Sequence, residues 1–370
     1  MLDITCQDPA AQPAVRSFPN GLYQINPLND PRWDDLLKRH PDASLFHSTQ
    51  WLAALRRTYG YEPVVFTTTG PKKPLKNGFP FCRVESWLTG RRLVSVPFSD
   101  YCAPLVAQDE DLPFFAATLD EQAREQRWRY IEIRPLESFE VKSALMHPVA
   151  RYTLHRLNLR PDLGVLFANL HKDSIQRKIR RAEREGLTYQ EGSTESILDS
   201  FYQLLVITRR RHRVPPQPRK WFRHLMDCFG DALKIRIASK NGHPVAGMVT
   251  IRYKDTLVYK YGGSDARLNN LGGMHLLYWR SIVDAKNSGL RVFDLGRSDA
   301  EQSGLITFKR RWGATESHLT YSRVTASGST VHIFDPAVRT WKTRAAKRAF
   351  AFAPTRLLCA MGSVLYRHIG

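Results

Sequence analysis

Two blocks of this 370-residue chain run through the same succession of hydropathy patterns, which constrains the fold more than any single motif. In the first, "NDPRWDDLLKRHP" opens a short helix, with a cap residue, Pro31 in the first turn, and Trp33, Leu36 and Leu37 at helical spacing. A second helix starts at Ser48, carries Trp51, Leu52, Leu55 and Tyr59 on one side, and stops at Gly60. Three apolar, β-branched or aromatic runs follow at 63–69, 78–84 and 91–98, separated by Gly/Pro/Lys turns, then a helix near 111–126 and a strand at 129–135. The second block predicts helices at 195–213 and 219–229, strands at 232–239, 244–253 and 256–263, a helix from Leu271 to Asn287, and a strand at 291–296. Each block therefore reads as two helices, three strands, a helix and a strand. "YIEIRP" and "VFDLGR" even place an acid and an arginine two or three residues apart at the same point, as an old duplication would.

The charge is not shared equally. Of 55 basic and 35 acidic residues, residues 1–150 hold 17 and 18, leaving 38 and 17 for residues 151–370. The first part is near neutral at −1 and the remainder is +21, so an anionic partner is expected to meet the second part. With 42% hydrophobic and 24% charged residues the balance is that of a globular protein, which excludes disorder of the whole chain. The five cysteines are scattered, without a Cys-x-x-Cys pair or a histidine at metal spacing; they read as reduced, buried thiols, and no metal site is expected. Asp3 and Asp8 stand where a signal peptide needs positive charge, and the apolar run at 349–366 is broken by Pro354 and Arg356 and too short to span a bilayer. These features predict a cytoplasmic protein. The segment from Asp335 to Gly370, with seven basic residues against one acid, reads either as a membrane-surface helix or as a packed C-terminal helix.

Between the blocks, "HKDSIQRKIRRAEREGL" places Ile175, Ile179 and Ala182 on one face of a basic amphipathic helix. "TRRRHRVPPQPRKWFRHL" (208–225) holds seven basic residues and no acid, a surface suited to phosphate, a lipid-linked precursor or RNA. The densest chemistry lies in "VFDLGRSDAEQSGLITFKRRWGA" (292–314). Alternation puts Asp294 on the strand face opposite Phe293 and Leu295, and Gly296 is positioned to turn Arg297 away from the core. Beyond it, Leu305, Phe308, Lys309 and Trp312 fall at i, i+3, i+4 and i+7, so Lys309 occupies a place in an apolar stripe. A lysine there either snorkels out along its stem or faces a carboxylate or an anionic ligand. For Asp294 and Arg297 the structural alternative is an ion pair across the strand end.

"FHSTQWLAALRRTYGYEP", "VPFSDYCAP", "IQRKIRRAEREGL", "NGHPVAGMV", "YKYGGSD" and "FDLGRSDAEQSGLITFKRRWGA", in that order over residues 40–325, resemble the Fem-type branch of the GNAT acyltransferase superfamily. The resemblance implies an α/β (α+β) fold of two tandem GNAT-like domains, each a mixed, mainly antiparallel sheet flanked by helices: residues 1–160, then 161–330 carrying the donor site, with a basic tail at 331–370. It implies transfer of an acyl or aminoacyl group to an amine. No bound cofactor is expected; acyl-CoA, ranked ahead of aminoacyl-tRNA, serves as co-substrate, and the acceptor is an amine on an anionic, lipid-linked envelope or polysaccharide precursor. Such an enzyme sits in the cytoplasm, peripheral to the membrane. Direct transfer needs a base, an oxyanion donor and an acid. Asp294 is the first choice for the base, Tyr261 for the acid and Lys309 for the oxyanion or phosphate. The donor loop falls at Asn269, Gly272 and Gly273, with Arg297 and Ser298 beside it; Asn269 and Met274 depart from the family's glycine-rich pattern. Asp100, Tyr101, Arg180 and Trp312 are the expected acceptor contacts. The reading from another class is a non-catalytic nucleic-acid-binding protein, although no helix-turn-helix, zinc-finger or RNP pattern is present.

Overall fold

The computed structural model describes residues 15–18, 21–106, 111–136, 146–325, 350 and 352–369. The first block folds as β1 (Arg16–Ser17), β2 (Tyr23–Ile25), α1 (Pro31–Arg39), α2 (Thr49–Tyr59), β3 (Glu62–Thr67), β4 (Phe79–Val84), β5 (Arg92–Val94), α3 (Asp111–Glu125) and β6 (Tyr130–Ile133). Then come β7 (Met146–Asn158), α4 (Leu163–Ala168), α5 (Arg177–Arg184) and β8 (Thr188–Gly192). The second block is α6 (Glu195–Arg211), α7 (Arg219–Phe229), β9 (Leu233–Lys240), β10 (His243–Tyr253), β11 (Thr256–Ser264), α8 (Gly273–Asn287) and β12 (Val292–Asp299). α9 (Ser303–Arg310), β13 (Thr315–Val324) and α10 (Thr355–Ile369) complete the elements named among the described residues. The cap signals act as read: Asp30 and Ser48 accept from the first turns of α1 and α2, and Gly60 ends α2 in the left-handed region.

The strands form one mixed, mostly antiparallel sheet in the order β1-β2-β3-β4-β5-β6-β13-β7-β12-β11-β10-β9-β8, flanked by helices. In each block the last helix returns the chain to a parallel strand, β5 beside β6 and β11 beside β12. The blocks then trade ends. β7, which follows β6 in the chain, pairs with β12; β13, which follows β12, pairs with β6; and β7 and β13 pair with each other along ten residues of β13. Neither central strand was legible in the sequence. "MHPVARYTLHRLN" and "TESHLTYSRV" mix apolar residues with His, Arg, Thr and Ser on both faces, so neither shows a clean period of two.

Trp51, Trp221, Phe222 and Tyr261 share one core with Leu154, Leu319 and Tyr321 of the crossing strands, while a second core joins Ile175, Ile179 and Ala182 to α8, Phe293 and Trp312. The predicted stripe of α9 is shorter than its spacing suggests, since Leu305 is exposed and only Lys309 and Trp312 are deeply buried. α10 packs along one side: Leu358 is buried, Arg210 donates to Ala353 O, and Tyr61 Oη donates to Tyr366 O. No helix among the described residues is long and apolar enough to cross a membrane.

Candidate active site

Two bulges on neighbouring strands open the sheet. β11 and β12 pair in parallel only as far as Val258 and Asp294. Beyond that, β11 bulges at Lys260, where Val249 and Thr250 of β10 face Tyr261 and Tyr259. β12 bulges at Leu295 and Gly296, where Arg156 and Leu154 of β7 face Asp294 and Arg297. Gly296 has φ +71°, a conformation glycine adopts without the strain a side chain brings, and this extra residue returns Arg297 to the face that carries Asp294.

Into the gap reaches Asp100 of the first block. A Cβ on Gly296 would lie 3.1 Å from Asp100 Oδ2. The loop that delivers Asp100 is strained: Val96 and Phe98 both have positive φ, costly for a β-branched and an aromatic residue. Its partners hold it there. Arg134 Nη1 and Ser99 Oγ donate to Val96 O, and Tyr321 Oη of the traded strand β13 donates to Asp100 O at 2.7 Å. In the first block the equivalent gap past Val94 and Glu132 is closed by the chain itself, where Cys102 N donates to Arg134 O.

Around Asp100 the side chains form a charged cluster. Lys260 Nζ lies 2.9 Å from Asp100 Oδ1 and is walled by the rings of Phe46, Trp51 and Tyr261, at 4.8, 5.6 and 6.0 Å. Burial lowers the Lys260 ammonium pKa, and Asp100 opposes that shift. Arg297 Nε lies 3.7 Å from Asp100 Oδ1, and the guanidinium stacks on Tyr152 and Tyr321. The structural ion pair expected between Asp294 and Arg297 is therefore not formed. Asp294 takes Arg156 instead, Nε to Oδ2 at 3.4 Å, because the bulge moves Arg297 one step along β12.

Asp294 is fully buried; its oxygens accept from Tyr101 Oη (2.8 Å), Gly296 N (2.8 Å) and Arg156, which leaves it little freedom to meet a substrate. Burial, then the charge of Asp294, pushes the Tyr101 hydroxyl pKa up, so Tyr101 stays a donor.

Lys309 does not snorkel. Its side chain is buried, and Nζ donates to Gly296 O (2.7 Å) and Arg297 O (3.1 Å), which uses two of its three N–H donors. Burial lowers its pKa to about 8, against the pull of Asp100 and Asp294. Lysine, bulge and carboxylates thus form one electrostatic unit.

The other predicted residues lie elsewhere or do other work. Tyr261 is buried and its hydroxyl accepts from Trp221 Nε1 at 2.8 Å. Trp312 stacks on Tyr278 in the second core. Arg180 is exposed, with its guanidinium over Phe167, and Asn269 is an exposed turn residue. Ser298 is buried, with no partner for Oγ among the described residues. Gly272 and Gly273 are buried in packing: a Cβ on Gly272 would lie 2.3 Å from Lys178 O of α5, and one on Gly273 2.9 Å from a methyl of Val245. With φ +83° as well, Gly272→Ala is expected to lower the melting temperature by several degrees, as thermal unfolding followed by circular dichroism would record. Sequence reading missed Lys260 and Arg156. Lys260 carried the signal that flagged Lys309, a lone cation between apolar neighbours in "TLVYKYGG".

Residues 170–310 match the family model for an acetyltransferase (GNAT) domain, a span that contains Lys260, Asp294, Arg297 and Lys309. A stretch of 144 residues is 24% identical to the UDP-N-acetylmuramoylpentapeptide-lysine N(6)-alanyltransferase of Weissella viridescens, covering 38% of this chain and 43% of that protein. The chain thus spans less than half the length of this curated relative. Among solved structures, FemX superposes with a TM-score of 0.61 at 14% identity over 78% of this chain and 95% of that one. A tandem GNAT protein from the clavulanic acid biosynthesis pathway superposes with a TM-score of 0.50 at 12% identity, over 83% and 98%. Fold, matched domain and relatives agree: residues 170–310 form an acetyltransferase (GNAT) domain, in a chain whose fold is shared with FemX.

Proposed function

We propose that the protein transfers an aminoacyl group from an activated ester, aminoacyl-tRNA, to a primary amine of an anionic cell-envelope precursor. The observation that carries this reading is the buried Lys309 ammonium, set across the Gly296 bulge from Asp100. In this reading the amine nitrogen attacks the ester carbonyl, a C–N bond forms, and the carbonyl oxygen gains charge that the free N–H of Lys309 stabilises. Asp100 takes the proton the amine must lose; the C–O bond then breaks, and that proton ends on the departing hydroxyl. Asp294 orients rather than reacts, fixing Tyr101, Arg156 and the bulge. Arg297 and Arg156, each partly exposed at the mouth, suit an acceptor that carries phosphate or carboxylate groups.

The aminoacyl donor is preferred to acyl-CoA because the backbone of α5 lies against Gly272, at the helix start where a pyrophosphate would bind. The match to an acetyltransferase domain is what supports acyl-CoA, so both donors belong in the test. Purified protein is incubated with UDP-N-acetylmuramoyl-pentapeptide and either charged tRNA or acetyl-CoA, and the product is weighed by mass spectrometry. Aminoacylation from charged tRNA is expected. Acetylation alone would transfer the assignment to acyl-CoA, and modification by neither donor would refute this reading of donor and acceptor. The rival reading, a non-catalytic nucleic-acid-binding protein, has no feature that favours it over a transferase.

A further inference from the structure

Large hydrophobic side chains are exposed at ten described positions, and six of them come from two adjoining segments: Trp87 (83%), Leu88, Phe352 (85%), Leu357, Val364 and Ile369. Two come from the turn between β4 and β5, the others from α10 and the residues just before it. The turn and the helix are bound together, because Thr89 Oγ1 and Arg92 Nη2 both donate to His368 O, Ser86 Oγ meets His368 Nδ1, and the Trp87 ring lies edge-on to His368 at 5.5 Å. α10 is therefore held on both blocks by its inner face. Leu357 and Val364, seven residues apart, mark an apolar stripe along the outer one, a helix about 22 Å long.

A patch of this kind on a soluble surface marks an interface. Its chemistry selects the partner. α10 contains no acid, and Arg356 and Arg367 are exposed on it. A second copy of the chain would bring these same cations against themselves across a twofold axis. An anionic bilayer supplies both of the complements required: acyl chains for the apolar stripe and phosphate headgroups for the cations.

We infer that α10 and the Trp87–Leu88 turn form the face by which the protein lies on anionic phospholipid membranes, with Leu357, Val364 and the turn inserted at the acyl boundary. This face shares no residue with the acyl-transfer cluster, so the inference stands or falls separately from the proposed reaction.

The test is cosedimentation of the full chain with vesicles of phosphatidylglycerol and phosphatidylcholine, or of phosphatidylcholine alone. Wild type is expected to bind the anionic vesicles at least tenfold more tightly. Trp87→Ser/Leu88→Ser and Leu357→Ser/Val364→Ser, all at exposed positions, should each reduce that binding tenfold or more while the melting temperature holds. Arg356→Gln/Arg367→Gln should weaken binding to the anionic vesicles and flatten its dependence on salt. Absence of wild-type binding at low salt, or binding unchanged in both serine pairs, overturns the inference. It is equally overturned if sedimentation shows a dimer that the serine pairs dissociate, since the patch would then be covered by a second copy.

Discussion

Lys309→Met is expected to slow acyl transfer by about 10²–10³-fold while leaving the melting temperature unchanged or slightly raised. The two effects separate because the ammonium is costly to the fold and, in the proposed reaction, stabilises the oxyanion. Its burial lowers the pKa from 10.5 to about 8, so below pH 8 the folded protein carries a charge that the unfolded chain would hold more comfortably in water. Methionine keeps much of the volume and removes that penalty, offset by the loss of donors to Gly296 O and Arg297 O. The pH dependence follows with a definite sign. Transfer that needs the ammonium falls as pH rises through about 8. Stability from this group moves the other way, rising between pH 8 and 10.5, where the unfolded chain binds more protons than the folded one. The variant should lose both dependences, measured as rate and chemical denaturation from pH 7 to 10. A wild-type rate that stays flat across pH 8 would remove the charged lysine from the reaction.

The second large effect concerns Asp100. Replacing it by alanine leaves Lys260 buried among aromatic rings without its carboxylate, and breaking a buried pair in this way costs about 3–5 kcal/mol. Asp100→Ala is accordingly expected to lower stability and abolish transfer together, which alone would not distinguish a catalytic carboxylate from a structural one. The double variant Asp100→Ala/Lys260→Met resolves the ambiguity. With both charges gone, urea denaturation should recover most of the lost stability, while transfer should remain at background. Recovery of transfer along with stability would show that the carboxylate served only to neutralise Lys260.

Where periodicity was clean the sequence could be read to within a few residues: α7 falls at Arg219–Phe229 and α2 begins beside its Ser48 cap. The same logic brought out Lys309, because a cation inside an apolar stripe must be explained physically. What stayed hidden was whatever depends on pairing across the sheet. β7 and β13 carry His155, Arg156, Tyr152 and Tyr321 because one strand serves two polar neighbourhoods, and no local pattern announces that. The ion pairs stayed hidden for a related reason: the structural alternative paired Asp294 with Arg297, but the bulge is a two-strand feature, and it hands Arg297 to Asp100 and Asp294 to Arg156. The strained Val96–Phe98 backbone was equally invisible, since neither residue type signals positive φ.

The exchange of β7 and β13 also bears on how such a chain comes off the ribosome. β6 ends at Ile133, yet the neighbour that completes its edge, β13, is not synthesised until residues 315–324 emerge. Until then the first block must wait with one border unpaired, and β7, already made, must wait for β12. Assembly therefore closes at the centre of the sheet only after β13 has emerged, a long-range step of the kind that slows folding. Since Tyr321 arrives with that strand and holds Asp100 in place, the carboxylate proposed as the base gains its geometry only once β13 has paired.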